Sequence, residues 1–259
     1  MAPHGYRRAT VVAAVGSGPA ELRPDPVYQQ AWTLFVDEVP QSYVDLADPG
    51  HVKYDYLARL ATVLRLWSPP PVPLRVLHLG GGAMTLARLI AATRPGSAQT
   101  VVDHDGELVA LISRVLPAPA GVEVVVADAR AYLESLDRPG YDVVVADVFV
   151  GARSPDSVAT AGFAAAARRA LRPGGLLAMN VTDVPPLSHT RIQVATLRSA
   201  FADVAVLGDP AVLRGRKAGN TVLVAADTLS DLPVRAGALH GEKLNTFCAG
   251  ARARLDEPA

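Results

Sequence analysis

The chain has 259 residues, of which 50% are hydrophobic and 19% charged, a composition typical of a globular protein with a large core. A formal net charge of zero argues against nucleic-acid binding, and the single cysteine, Cys248, excludes an internal disulfide and a cysteine-based zinc site. No window approaches 18 apolar residues and the first apolar stretch is too short for a signal peptide, so we expect no membrane contact and a cytoplasmic location.

Short apolar runs typical of β-strands occupy the beginning of the chain. They read ATVVAAV, AWTLFVDEV and QSYVDL, and a helical pattern follows from about Val52 to Leu66, with Tyr56, Leu57 and Leu60 on one apolar face. The proline-rich segment WSPPPVPLR then ends the pattern. We therefore predict a β-rich segment with a connecting helix over residues 1–70.

Strands and helices alternate after this proline-rich segment. The predicted strands read LRVLHLG, AQTVVDH, VEVVVADA, YDVVVADVFV and LLAMNVTD, each followed by a helical pattern, and the runs VAVLGDP and GNTVLVAAD form an antiparallel pair. Nearly continuous apolar strands indicate a sheet covered on both faces. The alternation predicts an α/β fold with a doubly wound, mostly parallel, Rossmann-like sheet over residues 71–228, followed by a tail over 229–259 with one short helix.

Three glycines, Gly80, Gly81 and Gly82, separate the first of these strands from its helix in the stretch VLHLGGGAMTLARL. Ligands of open α/β sheets bind beyond the carboxyl ends of strands, where glycine lets the backbone turn sharply and approach a ligand. The dinucleotide fingerprint fails because Thr85 stands where its last glycine belongs, and no P-loop sequence follows. The turn therefore indicates a ligand without a pyrophosphate, and a tight turn without any ligand is the alternative.

Acidic residues follow the next three strands at the same predicted edge of the sheet. They are Asp103 and Asp105, then Asp128, then Asp147. A carboxylate after the second strand can accept both hydroxyls of a ribose, and one after the third can reach an adenine amino group. Each could instead cap a helix. Together with the glycine turn they favour a nucleoside pocket in a sheet of the S-adenosylmethionine-methyltransferase type.

Six motifs, in order, resemble those of the polyamine aminopropyltransferases, the spermidine-synthase family, and especially its short actinobacterial members. They read QSYVDLADP…KYDYLARL, VLHLGGGAMTLARLI, VVDHDGELV, VVADARAYL, YDVVVADVF and ALRPGGLLAMNV, and they cover about residues 35–225. The resemblance implies a small N-terminal β-rich domain on a Rossmann-like domain, assembled as a homodimer or tetramer. It also implies a metal-free transferase that moves an aminopropyl group from decarboxylated S-adenosylmethionine to a small-molecule amine acceptor.

The same resemblance assigns the nucleoside pocket residue by residue. Gly80 to Gly82 would line it, Asp103 would bind the ribose hydroxyls, and Asp128 with the following Ala129 would face the adenine. Gln41 matches an upstream glutamine of the family, in a looser alignment. These residues would hold decarboxylated S-adenosylmethionine, or S-adenosylmethionine itself, as co-substrate.

Asp147 and Tyr54 are the catalytic residues that the resemblance implies. Asp147 falls on the first acid of the family's Asp-Ser-Ser-Asp-Pro loop, and Tyr54 matches an upstream tyrosine. A primary amine has a pKa near ~10, so at pH 7 it carries a proton and has no free lone pair. A carboxylate must bind this ammonium and accept the proton before the nitrogen can attack.

Departures from the family pattern leave two alternatives. Ala83 stands where the family's glycine turn has an aspartate, Val150 replaces the second acid of the loop with Arg153 nearby, and Arg214, Arg216 and Lys217 lie where a tyrosine is expected. Without the aspartate, the carboxylate of intact S-adenosylmethionine would be tolerated. The alternatives are therefore an S-adenosylmethionine-dependent methyltransferase and a non-catalytic nucleoside-binding module.

Overall fold

The beginning of the chain forms an antiparallel sheet in the computed structural model, which describes residues 8–149, 151, 154–229 and 238–256. Its strands pair in chain order and are β1 Val11–Val15, β2 Gly18–Pro24, β3 Ala31–Val36 and β4 Val39–Asp45. The sequence patterns predict β1, β3 and β4 but not β2, because two prolines and a glycine obscure its alternation. Asp37 and Glu38, with φ of 48° and 63°, form the two-residue turn between β3 and β4.

Helix α1, Asp55–Trp67, connects this sheet to the rest of the molecule. Its start lies three residues later than predicted, because Tyr54 has an extended backbone and occupies the N-cap position. Leu57 and Leu60 are buried as the pattern predicts.

The larger sheet has the predicted doubly wound, mostly parallel architecture. Its strands are β5 Arg75–Leu79, β6 Ala98–Asp103, β7 Val122–Val126, β8 Tyr141–Ala146, β9 Leu171–Asp183, β10 Asp203–Gly208, β11 Gly219–Ala226 and β12 Ala238–Leu239. Their spatial order is β12-β10-β11-β9-β8-β5-β6-β7. Strands β5 to β9 run parallel, whereas β11, β10 and β12 each run antiparallel to the neighbour toward β9. The predicted antiparallel pair is therefore confirmed as β10 and β11.

Helices cover both faces of this sheet. They are α2 Thr85–Thr93, α3 Gly106–Val115, α4 Ala129–Glu134, α5 Ala161–Ala170, α6 Ser188–Leu197, α7 Pro210–Leu213 and α8 Gly241–Phe247, with a 3₁₀ turn at Asp156–Val158. Helices α4, α5, α6 and α8 contribute to the core on one face, and α1 with α2 to the core on the other. The predicted turn at RPGG lies inside β9, where the pairing with β8 shifts between Tyr141 and Val143.

The N-terminal sheet packs against helices α2 and α3. Leu22 and Leu34 are fully buried in a core that they share with Leu111 and Ile112 of α3. Asp105 adds a polar link, because its carboxylate accepts hydrogen bonds from the backbone of Gly16 and Ser17 (3.1 and 2.8 Å) and from the Ser17 hydroxyl (2.8 Å).

Asp105 also caps α3, accepting a bond from the Leu108 amide at 3.0 Å. Burial by itself would raise the pKa of Asp105, but the hydrogen bonds from Leu108, Ser17 and Gly16 outweigh it and hold that pKa below its usual range. This acid is thus a structural anchor between the two sheets.

The strand order reverses between β5 and β8. The chain runs outward from β5 through β6 to β7, then returns to place β8 on the other side of β5. Such a reversal opens a crevice beyond the carboxyl ends of the two central strands. Gly80 follows β5 and Asp147 follows β8, and the Asp147 amide donates to the Leu79 carbonyl at 2.8 Å. The glycine turn and the candidate base therefore share the crevice.

Candidate active site

A cavity of about 880 Å³ lies at the carboxyl ends of strands β5 to β9, with the hairpin of β3 and β4 as one wall. Its lining contains every residue that the family resemblance assigns to the site: Gln41, Tyr54, Gly80, Gly81, Gly82, Asp103, Asp128, Ala129 and Asp147. Asp105, the other acid predicted at this edge, does not line the cavity, because its carboxylate is bound to Gly16, Ser17 and Leu108. The cavity is large enough for a nucleoside and a second small molecule, since ligand pockets commonly measure about 300–1,000 Å³. One enclosed space thus joins the predicted nucleoside pocket to the predicted base.

Glycine is required at two positions of the turn for steric reasons. Gly80 has a φ of +89°, and a Cβ there would collide with the carbonyl oxygen of Asp147 and lie 2.8 Å from its carbonyl carbon. Gly82 has a φ of +46°, and a Cβ there would lie 2.5 Å from the Ser42 hydroxyl oxygen. The turn is therefore pressed against both the loop after β8 and the N-terminal sheet.

Asp103 and Asp128 occupy neighbouring positions on the nucleoside side of the cavity. The Asp103 carboxylate accepts bonds from the Gly81 amide (2.8 Å) and the Asp105 amide (3.0 Å), which fix its orientation. Asp128 caps α4 by accepting from the Ala131 amide at 2.9 Å. Each carboxylate oxygen has two lone pairs, so both side chains keep acceptor capacity for ribose or adenine donors. Helix capping and ligand binding are therefore compatible for Asp128.

Asp147 is the centre of a hydrogen-bonded chain that crosses three elements. Its Oδ1 accepts from Asn180 Nδ2 of β9 at 2.8 Å, and its Oδ2 accepts from the Tyr56 hydroxyl of α1 at 3.2 Å. Asn220 Nδ2 of β11 donates to Asn180 Oδ1 (3.0 Å) and to the Thr182 hydroxyl (2.9 Å). All five side chains line the cavity. The carboxylate is thus held in one orientation by donors on either side.

Burial raises the pKa of Asp147, and the bonds from Asn180 and Tyr56 only partly oppose that effect. The same bonds favour the ionised form of the carboxylate. A carboxylate with a raised pKa is a stronger base than an ordinary aspartate, and it is better matched to a proton on nitrogen.

Tyr56, which the sequence places only on the apolar face of α1, is the tyrosine in contact with Asp147. Tyr54 lines the same cavity, and its ring stacks on that of Tyr56 with centroids 6.3 Å apart and planes 14° from parallel. Burial raises the pKa of both tyrosine hydroxyls, so each is a neutral donor at physiological pH. The sequence reasoning missed Tyr56, and also Asn180, although a polar residue near the end of an apolar strand was a usable signal.

Two negative findings concern the described residues 8–149, 151, 154–229 and 238–256. None of their helices is long and apolar enough to cross a bilayer. No three histidine, cysteine, aspartate or glutamate side chains cluster among them as metal ligands.

The fold and sequence are similar to those of a probable spermidine synthase from Corynebacterium glutamicum, whose crystal structure matches with a TM-score of 0.88. The two chains are 31% identical, and the match covers 97% of this chain and 98% of the other. The chain belongs to the polyamine aminopropyltransferase (spermidine synthase) family. The predicted family resemblance is thus confirmed, and the Corynebacterium neighbour is consistent with its actinobacterial detail.

The matches to curated aminopropyltransferases cover only part of this chain and only part of each relative. A polyamine aminopropyltransferase from Chromobacterium violaceum is 30% identical over 146 residues, which are 55% of this chain and 54% of that protein. The chain spans about half the length of the curated relatives it matches. No family model matches it. The human methyltransferase-like protein 13, solved with SAH, is 19% identical with a TM-score of 0.58 over 76% of this chain and 90% of that one, which shows the fold alone.

The altered glycine turn of this aminopropyltransferase-family chain is accommodated by the core. Ala83 is fully buried between the two sheets, and its amide donates to the Ser42 hydroxyl at 3.2 Å. Met84 has a φ of +60°, a left-handed conformation that costs a non-glycine residue roughly 1–2 kcal/mol. Its side chain is buried in the same core. Ala83 therefore belongs to the core that the N-terminal sheet shares with α2 and α3.

The basic segment near the family's expected tyrosine is only partly in the site. Arg214 and Arg216 are exposed, whereas Lys217 lines the cavity and forms an ion pair with Asp209 at 3.0 Å. Val150 and Arg153, the other departures from the family loop, lie outside the described residues.

Proposed function

We propose that the protein transfers an aminopropyl group from decarboxylated S-adenosylmethionine to an amine acceptor, with Asp147 as the proton acceptor. One observation carries this proposal: a carboxylate with a raised pKa opens onto the cavity, oriented by Tyr56 and Asn180, beside the candidate nucleoside residues. Family membership supports the same reaction.

The donor is proposed to bind on the side of the glycine turn. Asp103 would accept the ribose hydroxyls, Asp128 would accept from the adenine amino group, and Ala129 would contact the ring. Gln41 lines the cavity from β4 and would contact the bound donor. The left-handed glycines of the turn let the backbone approach the nucleoside closely.

The acceptor amine is proposed to arrive as an ammonium ion at Asp147. The carboxylate binds the ammonium and takes one of its protons, which frees the nitrogen lone pair. The nitrogen attacks the propyl carbon bonded to the sulfonium sulfur. A carbon–nitrogen bond forms, the carbon–sulfur bond breaks, and its electron pair stays on sulfur as methylthioadenosine is released. Holding the two reactants in one cavity supplies a further part of the acceleration.

Methyl transfer from intact S-adenosylmethionine is a second candidate, favoured by Ala83. The family's aspartate at this position would repel the carboxylate of intact S-adenosylmethionine, and a buried alanine does not. In that case the nucleoside side would be used in the same way, and the methyl group rather than the propyl chain would lie near Asp147.

Donor preference distinguishes the two reactions. We would titrate the protein calorimetrically with decarboxylated and intact S-adenosylmethionine, with methylthioadenosine as the reference ligand, and follow methylthioadenosine and S-adenosylhomocysteine by mass spectrometry. Aminopropyl transfer predicts tighter binding of the decarboxylated donor and amine-dependent release of methylthioadenosine. Formation of S-adenosylhomocysteine would support methyl transfer instead. Donor binding without either product, in the presence of a broad amine panel, would leave a nucleoside-binding module.

A further inference from the structure

The part of the cavity around Asp147 is lined by different residues from the nucleoside side. We call it the acceptor half and define it by Tyr54, Tyr56, Phe149, Asp209, Lys217 and Asn220, all of which line the cavity. It is connected to Asp147 through the Tyr56 and Asn180 hydrogen bonds. Its charges determine which amines it can hold.

Asp209 is neutralised where it meets the cavity. Its Oδ2 pairs with Lys217 Nζ at 3.0 Å, and its Oδ1 accepts the Ala211 amide at 2.6 Å as the cap of α7. The negative charge of Asp209 is therefore offset by the ammonium of Lys217.

Asp55 is also a poor partner for a buried ammonium. Its side chain is 84% exposed, and Arg59 Nη1 lies 3.8 Å from it. Exposed charges are strongly screened by water, and the nearby guanidinium cancels the remaining attraction. Among the residues that the structure describes, Asp147 is thus the carboxylate beside the acceptor half that accepts hydrogen bonds but forms no ion pair.

The loop after Asp147 adds no free acid. The next acidic residue in the sequence is Asp156, and its carboxylate pairs with Arg254. Where the family loop reads Ser-Ser after its first acid, this chain has Val148 and Phe149, which both line the cavity. An apolar wall therefore begins directly beside the candidate base.

Val212 lies behind this wall, with only 2% of its surface exposed. It lines the cavity, and it packs so closely on Gly219 that a Cβ at Gly219 would lie 2.7 Å from Val212 Cγ2. A hydrocarbon chain on this surface gains about 25 cal/mol for each Å² removed from water, whereas a second ammonium there would lose its hydration without a partner.

We propose that the acceptor is a monoamine with an uncharged, apolar body rather than a diamine or polyamine. This inference rests on the proposed aminopropyl transfer. One ammonium binds Asp147, and the rest of the acceptor contacts Val148 and Phe149.

The test compares n-butylamine with 1,4-diaminobutane, which share a four-carbon chain and differ by one ammonium. With saturating decarboxylated S-adenosylmethionine, we expect kcat/KM for methylthioadenosine release to be at least as high for butylamine. A tenfold or greater preference for the diamine would overturn the proposal. If neither amine releases methylthioadenosine, the proposed function fails. The preference is then read from calorimetric binding of both amines to the methylthioadenosine complex, where tighter diamine binding, or no binding of either, also overturns it.

Two charge variants check the cause of the preference. Lys217→Gln frees Asp209 and is expected to raise the diamine-to-butylamine ratio of kcat/KM about fivefold. Asp209→Asn leaves Lys217 unpaired and is expected to lower the same ratio. Both side chains are substantially exposed, so the variants should fold. Ratios that do not move in opposite directions would contradict the role assigned to this ion pair.

Discussion

Replacing Tyr56 by phenylalanine tests the hydrogen bond that orients the candidate base. The Tyr56 hydroxyl donates to Asp147 Oδ2 at 3.2 Å, and this bond lowers the pKa of the carboxylate. Hydrogen bonds to charged groups contribute about 1.5–3 kcal/mol to stability, and a donor–acceptor distance of 3.2 Å favours the lower figure. Since 1.36 kcal/mol corresponds to one pKa unit, Tyr56→Phe should move the acidic limb of the kcat/KM profile upward by about one pH unit.

The assay is methylthioadenosine release as a function of pH, with Tyr54→Phe as the matched control. The base must be ionised to accept a proton. At pH values below the acidic limb, kcat/KM of the Tyr56 variant should therefore be about tenfold lower than that of the parent protein. At pH values above the limb, the two should differ little. Tyr54→Phe removes a hydroxyl from the same stacked pair and should leave the limb in place. An unmoved limb in Tyr56→Phe, or an equal movement in the control, would refute the assignment of Asp147 as the base oriented by Tyr56.

Three further predictions follow from the geometry. Asp147→Asn should reduce turnover by about 10²–10⁴-fold. The same variant should raise the melting temperature at pH 8, because a raised pKa means that the ionised carboxylate destabilises the fold. Calorimetric scans at lower pH should show this gain disappearing as the pH falls through the pKa of Asp147. Gly80→Ala combines a left-handed φ with a backbone collision and should cost about 3 kcal/mol or more, whereas Gly140→Ala, with open space around it, should change thermal stability little. Asp105→Asn should expose the β1–β2 amides to hydrogen exchange at pH 7; because the native pKa is lowered, the difference from the parent protein should shrink below the usual aspartate pKa of about 3.9.

The alternation of apolar strands and helices predicts strands β5 to β11 of the larger sheet. It does not predict β12, which pairs with β10 but lies in the predicted tail. Strand β6 begins at the predicted residue and ends one residue before the predicted end, and β10 pairs with β11 as expected. The acids at the strand ends could be found because parallel strands place their carboxyl ends at one edge. The local sequence pattern therefore predicts the fold and the residues that follow each strand.

The contacts that orient the base could not be predicted in this way. Tyr56 is 91 residues from Asp147 in sequence, and Asn180 is 33 residues from it. Neither distance corresponds to a helical or strand period, so only the packing of α1 and β9 around β8 brings these side chains together. Strand β2 was missed for a different reason, since its pairing with β1 and β3 stabilises a segment with weak intrinsic β-propensity.

The contact between Gly80 and the Asp147 carbonyl restricts how this site can evolve. Because the two backbones touch and the Asp147 amide is bonded to Leu79, the glycine turn and Asp147 cannot shift independently. A new acceptor is therefore most easily accommodated by exchanging side chains beyond the base while its backbone stays fixed. Under the proposed function, Val148 and Phe149 follow this route, because both line the cavity directly after Asp147 and can be exchanged without moving its backbone.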